Sequence, residues 1–183
     1  MRKLTTGGWA YAGLLLFVFV LYANPGNWFD GLEDVGFAKI AAAVAAIALA
    51  GSWIFYNRRV TVGGWPGAAL IALFTLVGFS ALWSYWPGYT VDTFLDGVKY
   101  LAIFLVVVNV VDSEARLRGV VKGLALASVI PAIGGIESWL RGEHLVDGTR
   151  AGWIGIFGNP NDLAYHLDVG IALVLAARAR RRR

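Results

Sequence analysis

Six long apolar segments constrain this chain more than any other feature of its sequence. They cover residues 4–23, 37–56, 65–86, 94–111, 117–140 and 162–177. An α-helix needs about 20 residues to cross a lipid bilayer, and a helix satisfies its own backbone polar groups there. The pattern therefore predicts an all-α fold, a polytopic membrane helix bundle with about six transmembrane helices, as a single transmembrane domain over residues 1–183.

The composition supports a membrane protein. Apolar residues make up 58% of the 183 residues and charged residues only 15%, whereas a soluble domain averages roughly 45–50% and about 25%. This excess excludes a disordered or collagen-like chain. The net charge of +4 does not indicate a nucleic-acid partner, because the basic residues are scattered between apolar runs. We expect contact with membrane lipids and no nucleic acid.

The basic residues divide unequally between the two ends of the six segments. Twelve lie at alternate ends, namely Arg2, Lys3, Arg58, Arg59, Arg116, Arg118, Lys122, Arg178, Arg180, Arg181, Arg182 and Arg183. The opposite ends carry Lys39, Lys99, Arg141 and Arg150. Because lysine and arginine favour the cytoplasmic side, both termini are predicted to be cytoplasmic. The alternative for the first segment is a cleaved signal peptide, which bulky Leu21 disfavours at the cleavage position.

The polar interval before the sixth segment contains the best candidate binding site. Asn161 is predicted to cap the sixth helix, Asp162 suits its positive end, and Pro160 holds Asn159 extended. With Arg150 nearby, this helix start could bind an anion or phosphate. The predicted substrate-binding residues are therefore Arg150, Asn159, Asn161 and Asp162. The alternative is that these residues only begin a helix.

Three ionisable residues are further candidates. His144 could transfer protons because histidine titrates near neutral pH, although a lone loop histidine with no defined partner is more often solvated. His166 and Asp168 fall inside the sixth segment, where ionisable groups are costly, and they form a possible intramembrane polar site. Asp162 and His166 are four residues apart and share a helix face. The alternative is a late start of the segment, which would leave His166 at the headgroup level.

The remaining sequence features concern helix packing and the chemistry that the chain lacks. Pro131 with Gly134 and Gly135 in the fifth segment indicates a kink or a close helix contact. The chain has no cysteine and no metalloprotease, P-loop or serine-hydrolase motif. We therefore predict no metal site and no cofactor.

Two segments carry a resemblance to a known family. The first is Phe79-Ser80-Ala81-Leu82-Trp83-Ser84-Tyr85-Trp86-Pro87, and the second is Gly155-Ile156-Phe157-Gly158-Asn159-Pro160-Asn161-Asp162-Leu163-Ala164. They are similar to the Leu-Trp-Ser segment and the Gly-x-Phe-Gly-Asn-Pro-Asn-x-Leu-Ala motif of the O-antigen ligase and O-antigen polymerase family. With the segment layout, the resemblance covers nearly the whole chain and corresponds to the N-terminal half of the family fold.

The resemblance implies a role in cell-surface polysaccharide biosynthesis, including that of lipopolysaccharide. Such proteins lie in the bacterial inner membrane and act as glycosyltransferases at its outer face, transferring or polymerising glycan from a polyprenyl pyrophosphate carrier. The family has an arginine for the pyrophosphate three residues before Gly155, where this chain has Gly152. Either Arg150 takes that role or the role is lost.

The resemblance also implies what this chain lacks. Family members are about twice as long, and their second half carries an outer loop with further arginine and histidine residues. We therefore expect an incomplete enzyme: a fragment, a truncated product, or one part of a split protein whose missing half a second polypeptide supplies. Its catalytic residues are unassigned apart from the candidate His144. The alternative function is a non-catalytic multi-span transporter or accessory subunit, in which His166 and Asp168 would matter more than Arg150.

Overall fold

A computed structural model describes residues 8–28, 31–32, 35–56 and 61–181. The helices are α1 Gly8–Ala23, α2 Phe37–Tyr56, α3 Gly64–Ser80, α4 Pro87–Val110, α5 Glu114–Ala127, α6 Val129–Arg141 and α7 Pro160–Arg181. Short 3-10 turns lie at Pro25–Trp28 and Gly155–Phe157, and a small hairpin pairs β1 Leu145–Val146 with β2 Arg150–Ala151. Several predicted features lie outside the described residues: residues 4–7 of the first segment, Arg2, Lys3, Arg58, Arg59, Arg182 and Arg183.

Helices α5 and α6 follow one another through Ser128 as one helix of 28 residues, Glu114–Arg141. The described part of the chain therefore contains six helices, and the all-α class predicted from the sequence is confirmed. The interruption at Ser128 comes three residues before Pro131, whose ring cannot donate the helical hydrogen bond and clashes with the preceding turn. The helix is thus interrupted about one turn before the proline.

The helices differ in how well they suit a membrane. Within the described ranges, Glu114–Arg141 is the one helix long and apolar enough to cross a bilayer, with a mean hydropathy of 1.7 in its most apolar window. Three shorter apolar helices accompany it, at Gly8–Ala23, Phe37–Gly51 and Gly64–Ser80. The six-helix count is thus established, while six transmembrane crossings remain a prediction.

Helix α3 ends at Ser80, six residues before the end of the predicted third segment at 86. The reason lies in the start of the next helix. Pro87 begins α4, and Trp86 before it adopts φ −127° and ψ 78°, which is not helical. Ser84 Oγ accepts hydrogen bonds from the Trp86 backbone N–H (3.2 Å) and from Thr90 Oγ1 (2.8 Å). The resulting turn separates two helices at a point where the apolar segment continues in the sequence.

The chain forms two compact units. The first comprises Met1–Ala12 and Val44–Asp112, and in it α3 and α4 pack antiparallel. A Cβ on Gly78 would lie 3.0 Å from the Phe94 ring, so small residues let the two helices approach. At the other end of this pair, Asn109 accepts from the Thr61 N–H (2.7 Å) and donates to the Thr61 carbonyl (2.8 Å).

The second unit comprises Gly13–Ala43 and Ser113–Arg183. In it α7 packs against both α5 and α6, and the loop between α6 and α7 folds back on the two helices. The buried centre of this unit is formed by Val18, Tyr22, Ala127, Phe157 and Leu163. Two of these residues, Phe157 and Leu163, belong to the Gly155–Ala164 motif. The motif is therefore part of the core of its unit.

Candidate functional site

The motif begins α7, but with a different cap from the one predicted. Asn159, not Asn161, is the N-cap residue, because its Oδ1 accepts from the Asn161 backbone N–H (2.9 Å) and its carbonyl accepts from the Leu163 N–H (3.1 Å). Pro160 is the first helical residue, where its fixed φ suits the helix and its missing N–H costs nothing. The prediction that Asn161 caps the helix is therefore wrong by two residues, because Pro160 sets the start.

This cap changes which groups could bind an anion. Pro160 has no N–H, and the N–H of Asn161 is already taken by Asn159 Oδ1. The helix start therefore offers fewer backbone donors than a typical phosphate-binding helix. The side-chain amides of Asn159 and Asn161 are exposed and can donate. Asp162 lies in the first turn and is exposed, and its carboxylate suits the positive helix end.

Arg150 lies on the β1–β2 hairpin that precedes the motif. Val146 pairs with Arg150 across the hairpin, and the Arg150 guanidinium contacts the Asp147 carboxylate at 2.6 Å. Half of the Arg150 side chain is exposed, and exposed ion pairs contribute little stability. A phosphate could therefore replace Asp147 as the partner of the guanidinium at small cost. The five N–H donors of the arginine would then be available to the phosphate oxygens.

A close backbone contact ties this hairpin to the motif. A Cβ on Gly152 would overlap the carbonyl oxygen of Gly158 and lie 3.3 Å from that of His144. The Gly152 N–H also donates to the His144 carbonyl (3.1 Å). Arg150 is two residues before this contact, and Asn159 directly follows it. The contact therefore brings the backbone of the hairpin that carries Arg150 close to the residue before the α7 cap.

Phe157 anchors the motif in the core. Its side chain has no exposed surface, and its ring centroid lies 5.4 Å from that of Tyr22 and 6.1 Å from that of Trp153. The Trp153 N–H donates to the Phe157 carbonyl (2.7 Å), and the Trp153 indole fills the space that a side chain at Gly134 would need. Gly134 therefore faces a loop tryptophan, and the close helix contact predicted for this segment occurs at Gly135, where a Cβ would lie 2.8 Å from Leu163 of α7.

His166 belongs to this aromatic cluster. Its Nδ1 lies 2.7 Å from the Asp162 carbonyl oxygen, and because a carbonyl only accepts, Nδ1 carries the proton. The ring packs edge-on to Phe157, Tyr22 and Tyr165 at centroid distances of 5.2, 5.8 and 5.6 Å. The predicted shared face of Asp162 and His166 is present, through the backbone carbonyl of Asp162.

The remaining candidates do not join this cluster. Asp168 is exposed and lies two positions beyond His166, so the two side chains leave α7 in different directions. His144 is exposed and has φ +52°, a left-handed conformation. Its backbone carbonyl, rather than its imidazole, supports the loop. No group of three metal-binding side chains occurs among the described residues.

Sequence reasoning missed Asn24. This residue follows α1 with φ +45°, and its side-chain amide occupies the space beside Gly155 that a Cβ there would fill. Gly155 itself has φ +64°, which favours glycine. Both Gly152 and Gly155 thus serve contacts within the chain. Asn24 is more than a hundred residues from the motif in sequence, and no local pattern points to that contact.

The cap assignment gives a first prediction. Asn159→Ala should lower the free energy of unfolding by about 1 kcal/mol, because it removes the side-chain acceptor of the cap. Asn161→Ala is the matched control, since its side chain has no role in the cap, and it should change stability by less than about 0.5 kcal/mol. Denaturant unfolding followed by circular dichroism measures both. If Asn161→Ala lowered the free energy of unfolding more than Asn159→Ala does, Asn161 would be the cap residue instead.

Comparisons of this chain with protein-family models, with curated proteins and with solved structures find no match.

Proposed function

We propose that this chain is a multi-pass membrane protein of cell-surface polysaccharide biosynthesis that binds a polyprenyl pyrophosphate-linked glycan at the outer face of the bacterial inner membrane. Within an O-antigen ligase-like or polymerase-like glycosyltransferase, the role of this chain is to bind the glycan donor. The observation that carries the proposal is the close backbone contact of Gly152, two residues after Arg150, with Gly158, which directly precedes Asn159.

Exposed apolar side chains support the membrane placement. In the most apolar window of Glu114–Arg141, only 28% of the residues are buried, whereas the central helix of a soluble protein is mostly buried. Ile47 and Ile54 are each about 70% exposed on α2, where Lys39 is the one charged residue, and Leu126 on α5 is exposed to a similar extent. Exposed apolar surface of this extent suits lipid contact. The twelve-to-four division of basic residues then favours an outer position for the loop between α6 and α7.

The donor groups at the site suit a pyrophosphate. The Arg150 guanidinium can form two parallel hydrogen bonds to phosphate oxygens, and its exposed bond to Asp147 is readily exchanged. The exposed side-chain amides of Asn159 and Asn161, at the start of α7, supply neutral donors. Asp162 would repel a phosphate, and we assign its carboxylate to the sugar, whose hydroxyl groups can donate to it.

Binding of a polyprenyl pyrophosphate to the chain in nanodiscs tests the proposal. Arg150→Ala should weaken binding about tenfold or more, because a hydrogen bond to a charged group contributes about 1.5–3 kcal/mol. Arg141→Ala is a matched control: it removes another exposed arginine, which pairs with Glu137 at 2.7 Å close to the same loop. Arg141→Ala should leave binding unchanged. Equal affinities of wild type and Arg150→Ala would contradict the proposal.

A further inference from the structure

Helix α7 runs antiparallel to α5 and α6, and two close approaches give the register. A Cβ on Gly135 would lie 2.8 Å from Leu163, and a Cβ on Gly170 would lie 2.5 Å from the Ser128 hydroxyl. The two approaches are seven residues apart on both sides. The antiparallel register is therefore constant between these two points, with one residue of α7 for each residue of the facing helix.

This register brings basic residues of both helices to one end of the unit. When the same register is continued along α5, Lys122 lies at the same height along the helix axis as residue 176. Arg178 then lies at the same height as Val120. Because an α-helix rises about 1.5 Å per residue, Arg178 lies within about 3 Å of the levels of Arg118 and Lys122 along the axis. Arg116 precedes these residues on α5, and α7 continues through Arg180 and Arg181.

The charge at this end is strongly positive. Arg118, Lys122 and Arg178 are exposed. Glu114 lies 3.8 Å from Arg118, while neither Lys122 nor Arg178 has an ion-pair partner within the described ranges. Exposed Leu117 and Leu126 stand on α5 beside them. The end thus combines cationic groups with apolar surface, which is the combination that anionic lipid headgroups and their chains require.

We infer that Arg118, Lys122 and Arg178 form a binding site for the phosphate of an anionic phospholipid, at the end of α5 and α7 opposite the motif. We call it the basic patch. The inference rests on the proposed membrane placement and goes beyond donor binding. Charge complementarity favours this occupant: the patch unites basic side chains from two packed helices at the level where they leave their apolar stretches.

The test uses nanodiscs of phosphatidylcholine mixed with phosphatidylglycerol. Electron paramagnetic resonance of spin-labelled lipids gives the association of phosphatidylglycerol with the protein relative to phosphatidylcholine. The wild type should select phosphatidylglycerol, and this preference should fall as salt is raised. Lys122→Gln and Arg178→Gln should each lower it by about fivefold, as expected for one charge near the headgroups.

Arg141→Gln removes one charge from the opposite end of the same 28-residue helix, and it should leave the preference unchanged. Unchanged preference in the Lys122→Gln, Arg178→Gln double variant, or an equal loss in Arg141→Gln, would overturn the inference. Displacement of the labelled lipid by a short oligonucleotide would overturn it in favour of nucleic acid.

The same samples separate this inference from the proposed function. Arg150→Ala tests whether polyprenyl pyrophosphate binds at the motif. Lys122→Gln and Arg178→Gln test whether phosphatidylglycerol is selected at the basic patch. Lipid selection without pyrophosphate binding would overturn the proposed function alone. Pyrophosphate binding without lipid selection would overturn this inference alone. Circular dichroism checks that each variant retains its helices.

Discussion

Phe157→Ala is expected to lower the free energy of unfolding by about 3–5 kcal/mol, the range for removing a buried phenylalanine. The Phe157 ring has no exposed surface and contacts the rings of Tyr22, Trp153 and His166. Its loss leaves a cavity between α1, α7 and the loop that carries the motif. Denaturant unfolding of the purified chain in detergent, followed by circular dichroism, measures the change.

The neighbouring residue supplies the control for Phe157. Ile156 lies in the same 3-10 turn, but 43% of its surface is exposed. Ile156→Ala should change stability by about 1 kcal/mol or less. Similar losses for the two variants would show that the turn, and not the buried ring, determines the stability of the motif.

Gly152→Ala is expected to cost about 1–3 kcal/mol, the usual penalty for overpacking. The added methyl group would overlap the Gly158 carbonyl oxygen, which is backbone and cannot rotate away. Because this contact holds the hairpin of Arg150 against the start of α7, Gly152→Ala should also weaken binding of polyprenyl pyrophosphate. The two measurements are unfolding in detergent and lipid binding in nanodiscs.

A second glycine gives the opposite expectation. A Cβ on Gly88 in α4 meets no atom within 4 Å, so Gly88→Ala should raise stability by up to about 1 kcal/mol through helix propensity. Donor binding should stay as in the wild type. If Gly152→Ala left both stability and binding unchanged, the contact with Gly158 would have no part in forming the site.

The sequence predicted the helices better than their contacts. Hydropathy located six helices because each carries an apolar run, and Pro131 marked the interruption of the fifth. Hydropathy failed at residues 81–86, where apolar side chains continue through a turn formed by Ser84 and Pro87. It also gave no sign of the β1–β2 hairpin, because two-residue strands are too short for a periodic pattern.

The sequence predicts that the motif begins a helix, but it does not predict the geometry of that helix start. The motif was expected at the start of the last helix, and it begins α7. The sequence predicts Asn161 as the cap, whereas Pro160 as the first helical residue makes Asn159 the cap. The contacts of Asn24 with Gly155, and of Tyr22 with Phe157 and His166, join distant parts of the chain, which local patterns do not encode.

Single-cysteine labelling tests the central claim most directly, since the chain has no cysteine of its own. Thr149→Cys places a thiol on an exposed position beside Arg150. We expect a membrane-impermeant maleimide to label it from the outer side of oriented membranes, and polyprenyl pyrophosphate to slow that labelling. Adding Arg150→Ala should abolish the protection. Labelling from the cytoplasmic side only, or outer labelling that the lipid never slows, would contradict the account.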